Sequence, residues 1–340
     1  MPFSASIAVS EMSQIGEARR TAVRVADQSG LPETERGQVA IVATELATNL
    51  VRYAKDGRLF VQSVRRDGTS TVQLLAVDGG PGIADVAKCL QDGFSSGGTR
   101  GTGLGAVKRL SDDFDVYSGV GSGTIILSRV SDGRRTRRHS STFTWAALST
   151  PAPGETVCGD VWRIRDAEAE IAIMVADGLG HGPLAADAAE KAAAVFDAGD
   201  FDSPKTFCER AHEALSGSRG AALAMADVAA SGAMRYAGTG NISGALVQDG
   251  KSRGLTSQNG TAGVTVRRVQ QFDYDWRADG VLIMHSDGLT SRWSLDAYPG
   301  LATRDPAMIA GVLHRDCTRG RDDATIVVVK RHEAAVKRHG

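Results

Sequence analysis

In the second half of the chain, apolar runs repeatedly meet an aspartate, usually with glycine beside it. The segments are VCGDVW with Asp160, IMVADGLGHG with Asp177 and Gly178, LIMHSDGLT with Asp287, and GRDDATIVVV with Asp322 and Asp323. An apolar run next to Asp-Gly is a strand meeting a tight corner, and each one alone reads most simply as a hairpin turn. Several corners of one kind can converge, however. Carboxylates gathered by folding repel one another unless divalent cations neutralise them. Oxygen-only ligands suit Mg²⁺ or Mn²⁺ rather than zinc.

A chain of 340 residues is long for one domain and comfortable for two. Its net charge of −1 gives no field that would attract nucleic acid. The four cysteines (Cys89, Cys158, Cys208, Cys317) include no C-x-x-C pair, which fits reduced thiols better than a disulfide framework or a zinc site. MPFSASIAVSEM has no basic segment followed by an apolar one, and no run of about 18 apolar residues occurs. These features predict a cytoplasmic protein without membrane anchor or nucleic-acid partner.

The pattern along the chain changes once. Residues 13–28 and 33–53 have helical spacing, with Glu33 and Glu35 near the positive end of the second helix. RLFVQSVRR and STVQLLAVD read as strands joined by an RDGT turn. A glycine-rich loop, a short helix over 104–112 and the hairpin FDVYSGVGSGTIILSRV follow. Then SDGRRTRRHSS places four arginines and a histidine within six residues, a solvated connector more simply than a patch for an acidic partner. Beyond it lie strand-like segments, helices over 184–198 and 204–216, and more short strands, a pattern that suits two sheets with helices packed outside. The expected domains are 1–130, a linker over 131–141, 142–332, and a tail over 333–340.

In the first unit, ELATNL sets Glu45 and Asn49 four residues apart on one helix face beside apolar neighbours. Polar groups there cost stability unless they have partners. VDGGPGI gives Asp78 at a strand end, with Gly80 and Gly82 after it. Such an acid can accept from a base amino group while backbone lies flat against the ring. GTGLG (Gly101, Thr102, Gly103, Leu104, Gly105) opens a helix whose amides and dipole suit phosphate. A Rossmann reading of GTGLGA fails, because a flexible DGFSSGGTR precedes the glycines where that fingerprint needs a strand.

These three boxes, in this order, resemble the ATP-binding domain of histidine kinases, gyrase-type ATPases and anti-sigma serine kinases (the Bergerat fold). No helix pair carrying a phospho-accepting histidine is present, and residues 93–124 are most similar to the switch kinases of the bacterial stressosome. The resemblance implies Mg-ATP as substrate and assigns roles. Asn49 would hold Mg²⁺ on the phosphates, Asp78 would take the adenine amino group, and Gly80 and Gly82 would let the chain pass the base. Residues 93–105 would form a lid with Gly101 to Gly105 on the phosphates. Glu45 would be the general base toward a serine or threonine hydroxyl.

The second half resembles the bacterial branch of the type 2C (PPM) metal-dependent serine/threonine phosphatases, from about Thr142 to Lys330. G-D-x-x, D-G-x-G-H-G, S-D-G-L-T and R-D-D-A-T occur in family order. The resemblance implies two Mn²⁺ or Mg²⁺ ions. Asp177 would bridge them, the Gly178 carbonyl would be a further ligand, and Asp287 and Asp322 would complete the site. Asp160 would bind directly or through water, and Asp323 would support the corner. Two ions about 3.5–4 Å apart clamp a phosphoryl group for in-line attack by water. His181 would serve the G-H-G turn, with proton donation to the leaving serine as the alternative. Cys158 and Trp293 depart from the family pattern.

The fold class expected is two-domain α+β, an N-terminal α/β sandwich ATPase followed by a compact α-β-β-α phosphatase. The function implied is bifunctional. One domain phosphorylates a STAS-type protein (an anti-anti-sigma factor or a stressosome scaffold) and the other removes such a phosphate. In a second reading, the first domain is a nucleotide-dependent binding module for a sigma factor or a downstream phosphatase activator, and only the phosphatase is catalytic. In a third, one half is a regulatory remnant.

Overall fold

Charge and apolar spacing together make residues 33–53 a helix. Glu33 and Glu35 occupy the first turn of α2 (Glu33–Tyr53) and Arg52 the last, charges that complement the helix dipole. Its buried face, including Val42, Leu46 and Leu50, joins Ala18, Ala22 and Val25 of α1 (Met12–Gln28) in one core. The computed structural model describes residues 4–66, 69–90, 103–133, 142–167 and 169–332. The chain divides into two compact units, Met1–His139 and Ser140–Gly340.

In the first unit α1 and α2 pack on a five-stranded antiparallel sheet ordered β1-β2-β3-β5-β4. Its strands are β1 (Ser4–Ala8), β2 (Arg58–Arg66), β3 (Thr69–Asp78), β4 (Asp113–Ser118) and β5 (Thr124–Ser131). Leu59 and Val61 of β2 and Val72, Leu74 and Ala76 of β3 alternate toward the helices, as period-two apolar residues must. Two short helices, α3 (Val86–Cys89) and α4 (Gly103–Leu110), flank a segment outside the described residues. α4 stops two residues earlier than its sequence suggests, because the Asp112 amide already donates to Arg129 O (2.8 Å) and enters the sheet. The RDGT turn falls partly outside the described residues.

The second unit stacks two antiparallel sheets, β15-β10-β9-β8-β7 and β12-β11-β16-β17-β6. The first holds β7 (Asp160–Asp166), β8 (Glu170–Gly178), β9 (Ala221–Ala229), β10 (Ala233–Thr239) and β15 (Gln271–Asp275). The second holds β6 (Phe143–Thr150), β11 (Ser243–Gln248), β12 (Lys251–Gly254), β16 (Val281–His285) and β17 (Ala324–Arg331). A small ribbon, β13 (Gly260–Thr261) with β14 (Thr265–Val266), lies apart.

β8 explains the layering. Ile171, Ile173 and Val175 face the inter-sheet core with Leu282, Met284, Val327 and Val329. Ala172, Met174 and Ala176 face the other way, onto Ala189, Ala192 and Phe196 of α5 (Pro183–Ala198) and Phe207 and Ala211 of α6 (Pro204–Ala214). A strand covered on both faces reads as a continuous apolar run, as this one does. α7 (Pro306–Cys317) packs on β6 and β17 and completes an α-β-β-α stack. No helix among the described residues is long and apolar enough to cross a membrane.

Candidate functional site

Each unit gathers polar groups at one place. In the first, a pocket of about 600 Å³ opens between α2, the end of β3 and the start of α4. Glu45, Asn49, Asp78, Gly82, Gly103 and Leu104 all line it. Glu45 and Asn49 lie one helical turn apart on α2, both half-buried, while Leu46 and Leu50 turn into the core.

Asp78 ends β3, and its Oδ1 accepts from the Gly80 amide (2.7 Å), a side-chain turn that fixes the carboxyl at the pocket wall. The next turn is pinned to the β4–β5 hairpin, where Gly121 N donates to Pro81 O (2.7 Å) and Gly123 N to Gly80 O (3.1 Å). Gly82 has φ +73°, and a Cβ there would sit 1.9 Å from Gly119 O, so only glycine fits. Gly80 and Gly105 lie off the pocket wall. A Cβ on Gly80 would meet Asp78 Oδ1 at 2.7 Å and Tyr53 O at 2.8 Å, so this glycine serves the Asp78 turn. Gly101, Thr102 and residues 93–102 of the expected lid lie outside the described residues.

Thr124, Arg52 and Lys88 also line the pocket, and sequence reading missed them. Arg52 follows Asn49 by three on the same helix, a spacing that could have flagged it. Thr124 pairs with Asp78 across β3 and β5, a relation no local pattern shows.

In the second unit the acids gather where strand ends of the two sheets meet. Asp160 and Asp177 stand directly opposite each other in the β7–β8 register. Asp287 follows β16, and Asp322 and Asp323 precede β17. Like charges so placed oppose one another. Burial above all, then Asp160, Asp287, Asp322 and Asp323, pushes the Asp177 carboxyl up to about 9. Burial raises Asp160 to about 7, against a hydrogen bond from Ser286 and with Asp323 and Asp287 adding to the rise. Asp287 is raised by burial and by Asp322, and Arg319 and Arg321 oppose the rise.

The glycines after Asp177 and Asp287 are steric requirements. A Cβ on Gly178 would lie 1.9 Å from Ala185 O at the start of α5, and one on Gly288 would lie 1.9 Å from Asp323 O. Asp-Gly here therefore lets a neighbouring backbone close against the acid.

Asp322 and Asp323 play different parts. Asp323 is buried, and its Oδ1 accepts from Ala152 N (2.8 Å), tying the loop before β7 to the corner. Asp322 is half-buried and its Oδ1 accepts from Asp323 N (2.9 Å). Ser286 Oγ donates to Asp160 Oδ2 (2.6 Å), and Asn241 Nδ2 donates to Asp287 Oδ2 (2.6 Å). Sequence reading found neither partner, although Ser286 stands within the S-D-G-L-T segment.

His181 is exposed, with Nδ1 2.7 Å from Glu155 Oε1. The Trp293 indole donates to His285 Nε2 (3.3 Å) behind the corner. Burial, with Asp160 and Asp323 nearby, pushes the Cys158 thiol far up, so it supplies no thiolate.

The donor set suits a hard divalent cation. It is all oxygen, crowds carboxyl groups that raise one another's pKa, and includes Asp160 Oδ1, buried without a hydrogen-bond partner among the described residues. Among those residues, no three His, Cys, Asp or Glu side chains close into a ready-made cage.

The family model for histidine kinase-like ATPase domains matches residues 8–129, and that for stage II sporulation protein E (SpoIIE) matches residues 167–332. The serine/threonine-protein kinase RsbT of Bacillus subtilis (strain 168) is 38% identical over 109 residues, which are 32% of this chain and 82% of RsbT. Among solved structures, RsbX in complex with magnesium gives a TM-score of 0.50 at 18% identity, over 64% of this chain and all of RsbX. A chain from work on the bacterial stressosome, a modular system adapted to control secondary messenger signaling, gives 0.52 at 24% identity, over 55% of this chain and 99% of that one. At these identities the two structures show likeness of fold. The chain belongs to the histidine kinase-like ATPase family that includes the kinase RsbT, joined here to a phosphatase domain of the SpoIIE (type 2C) family.

Proposed function

We propose that the chain is a bifunctional regulator of partner switching. Its first domain transfers the γ-phosphoryl group of Mg-ATP to a serine or threonine of a STAS-type protein. Its second hydrolyses such a phosphoester with two Mn²⁺ or Mg²⁺ ions. The observation that carries this reading is the pairing, in one chain, of a pocket of about 600 Å³ lined by Glu45, Asn49 and Asp78 with a corner of mutually repelling carboxyl groups.

In the first domain Asp78, fixed by the Gly80 amide, accepts from the adenine amino group. Asn49 faces the same pocket and serves the magnesium that accompanies the phosphates. Glu45, one turn before it, draws the proton from the attacking hydroxyl. The domain limits 1–130 and 142–332, with a linker over 131–141, belong to the same reading.

In the second domain Asp177, Asp287, Asp322 and the Gly178 carbonyl would hold the ions, with Asp160 binding directly or through water. When bound, the ions supply Lewis acidity that activates water and steadies the transferring phosphoryl group. Asp323 holds the Ala152 loop against the corner. His181 keeps the turn after Asp177 in contact with Glu155.

Incubation with Mg-ATP and a panel of purified STAS proteins tests the first half, and Mn²⁺ added to the isolated phosphoprotein tests the second. Label should enter a serine or threonine and then be released. If no STAS protein gains or loses phosphate, the proposal is wrong.

A further inference from the structure

Exposed apolar side chains scattered singly need no explanation, but their concentration at one place does. Among the described residues of the second unit, the large apolar side chains left exposed are Val157 (41%), Leu179 (57%), Leu184 (61%) and Val264 (60%). All four lie on, or against, segments that flank the acid corner. Leu179 directly follows Gly178, and its amide donates to Gly220 O (3.0 Å). Val264 stands over that same glycine, where a Cβ would come within 2.8 Å of Val264 Cγ2. Leu184 lies in the first turn of α5, next to the Ala185 backbone that abuts Gly178. Val157 precedes Asp160 by three residues, on a loop tied to the 180–182 turn by the Glu155–His181 contact.

A cation joins this rim. Arg219 is exposed, and its Nη1 lies 3.1 Å from the position a Cβ on Gly180 would take. The guanidinium therefore stands beside the turn that follows Asp177.

We propose that this rim is the docking surface for a phosphoserine- or phosphothreonine-bearing protein segment whose phosphorylated residue has apolar neighbours. The proposal rests on the phosphatase reading of the corner and names its substrate class. A small phosphate ester has no flanking side chains to lay against Leu184 or Val264. A phosphate carried on a folded protein brings its flanking side chains onto them, where burial of apolar area contributes affinity. Arg219 complements the dianionic phosphate and steers it to the corner.

The test uses the full chain and two fluorescent phosphoserine peptides of equal length and charge, one with leucines flanking the phosphoserine and one with serines. Anisotropy without metal should show the leucine-flanked peptide bound at least about tenfold tighter, a gain of about 1.4 kcal/mol. The double variant Leu184→Ser, Val264→Ser should lose that preference, yet hydrolyse para-nitrophenyl phosphate with Mn²⁺ at the unaltered rate. Equal binding of the two peptides by the unaltered chain overturns the proposal, as does a preference that survives the double substitution. A change of mass in sedimentation on making the double variant also overturns it, because the rim then joins two copies of this chain. An intact peptide preference without hydrolysis of either phosphate compound sinks the phosphatase reading and leaves the surface standing.

Discussion

Ser286 Oγ donates to Asp160 Oδ2 at 2.6 Å and accepts from Thr325 N at 3.0 Å. One buried hydroxyl thus joins three segments that are far apart in the chain, G-D, S-D-G and D-D-A-T. It occupies one oxygen of Asp160 and leaves Oδ1 buried without a partner among the described residues. On the proposed phosphatase reading Asp160 serves the ions, and side chains that orient such a group typically affect metal affinity by about 10- to 100-fold. Ser286→Ala should weaken Mn²⁺ binding in calorimetry by that factor, and Ser286→Thr should restore most of it. An alanine variant with unchanged Mn²⁺ affinity would remove Ser286 from any part in setting the site.

Stability without metal should fall as pH rises. Asp177 and Asp160 have folded-state pKa values of about 9 and about 7, far above the usual carboxylate range near 4. Between the unfolded and folded values the native state binds more protons than the unfolded chain, so the stability slope with pH is negative there. The contribution is present in full below the ordinary carboxylate pKa and is lost as pH climbs through 7 and then 9. In EDTA, the melting temperature of the second unit's transition should drop between pH 5 and pH 9. Mn²⁺ should flatten the decline, with affinity increasing as pH rises because binding displaces protons. A metal-free melting temperature that rises across this range would contradict the clustering of these acids.

The adjacent acids Asp322 and Asp323 should separate binding from folding. Asp323 is buried and takes the Ala152 amide, so Asp323→Ala leaves that donor unpaired and should cost about 1–3 kcal/mol of stability in denaturant titration. Asp322→Asn removes a like charge beside Asp177 and Asp287, so it should keep or raise the unfolding midpoint in EDTA while lowering Mn²⁺ affinity. The reverse pattern would exchange the two roles.

How much of this was legible depends on the distance over which each signal acts. α2 could be read to its ends because acids at its start, a basic last turn and an apolar stripe all lie within one segment. β8 and its Asp-Gly corner could be read because both faces of the strand are apolar up to Asp177. β1 escaped, since SASIA is short and only half apolar and becomes a strand by pairing with β2 about fifty residues on. α7 escaped for the opposite reason. Every residue from Pro306 to Leu313 is buried, so no amphipathic period survives, although Asp305 caps the helix and Pro306 opens it. The orienting bonds from Ser286 and Asn241 span 126 and 46 residues and exist only once the sheets have stacked.

Glu45 decides between the two readings of the first domain. It lines the pocket one turn before Asn49, half-buried; on the proposed kinase reading it meets the hydroxyl presented beside the phosphates. A positioned general base contributes about 10²- to 10⁴-fold to rate. Glu45→Gln removes the base and keeps shape and hydrogen-bonding capacity. It should therefore lower phosphoryl transfer to the STAS protein by that factor while ATP affinity changes less than about threefold. Asn49→Ala, in contrast, should weaken Mg-ATP binding itself. If Glu45→Gln transfers phosphate at the original rate, Glu45 is not the base. If the unaltered domain binds a partner in an ATP-dependent way and transfers nothing, the domain is a nucleotide-gated binding module and the phosphatase is the chain's one enzyme.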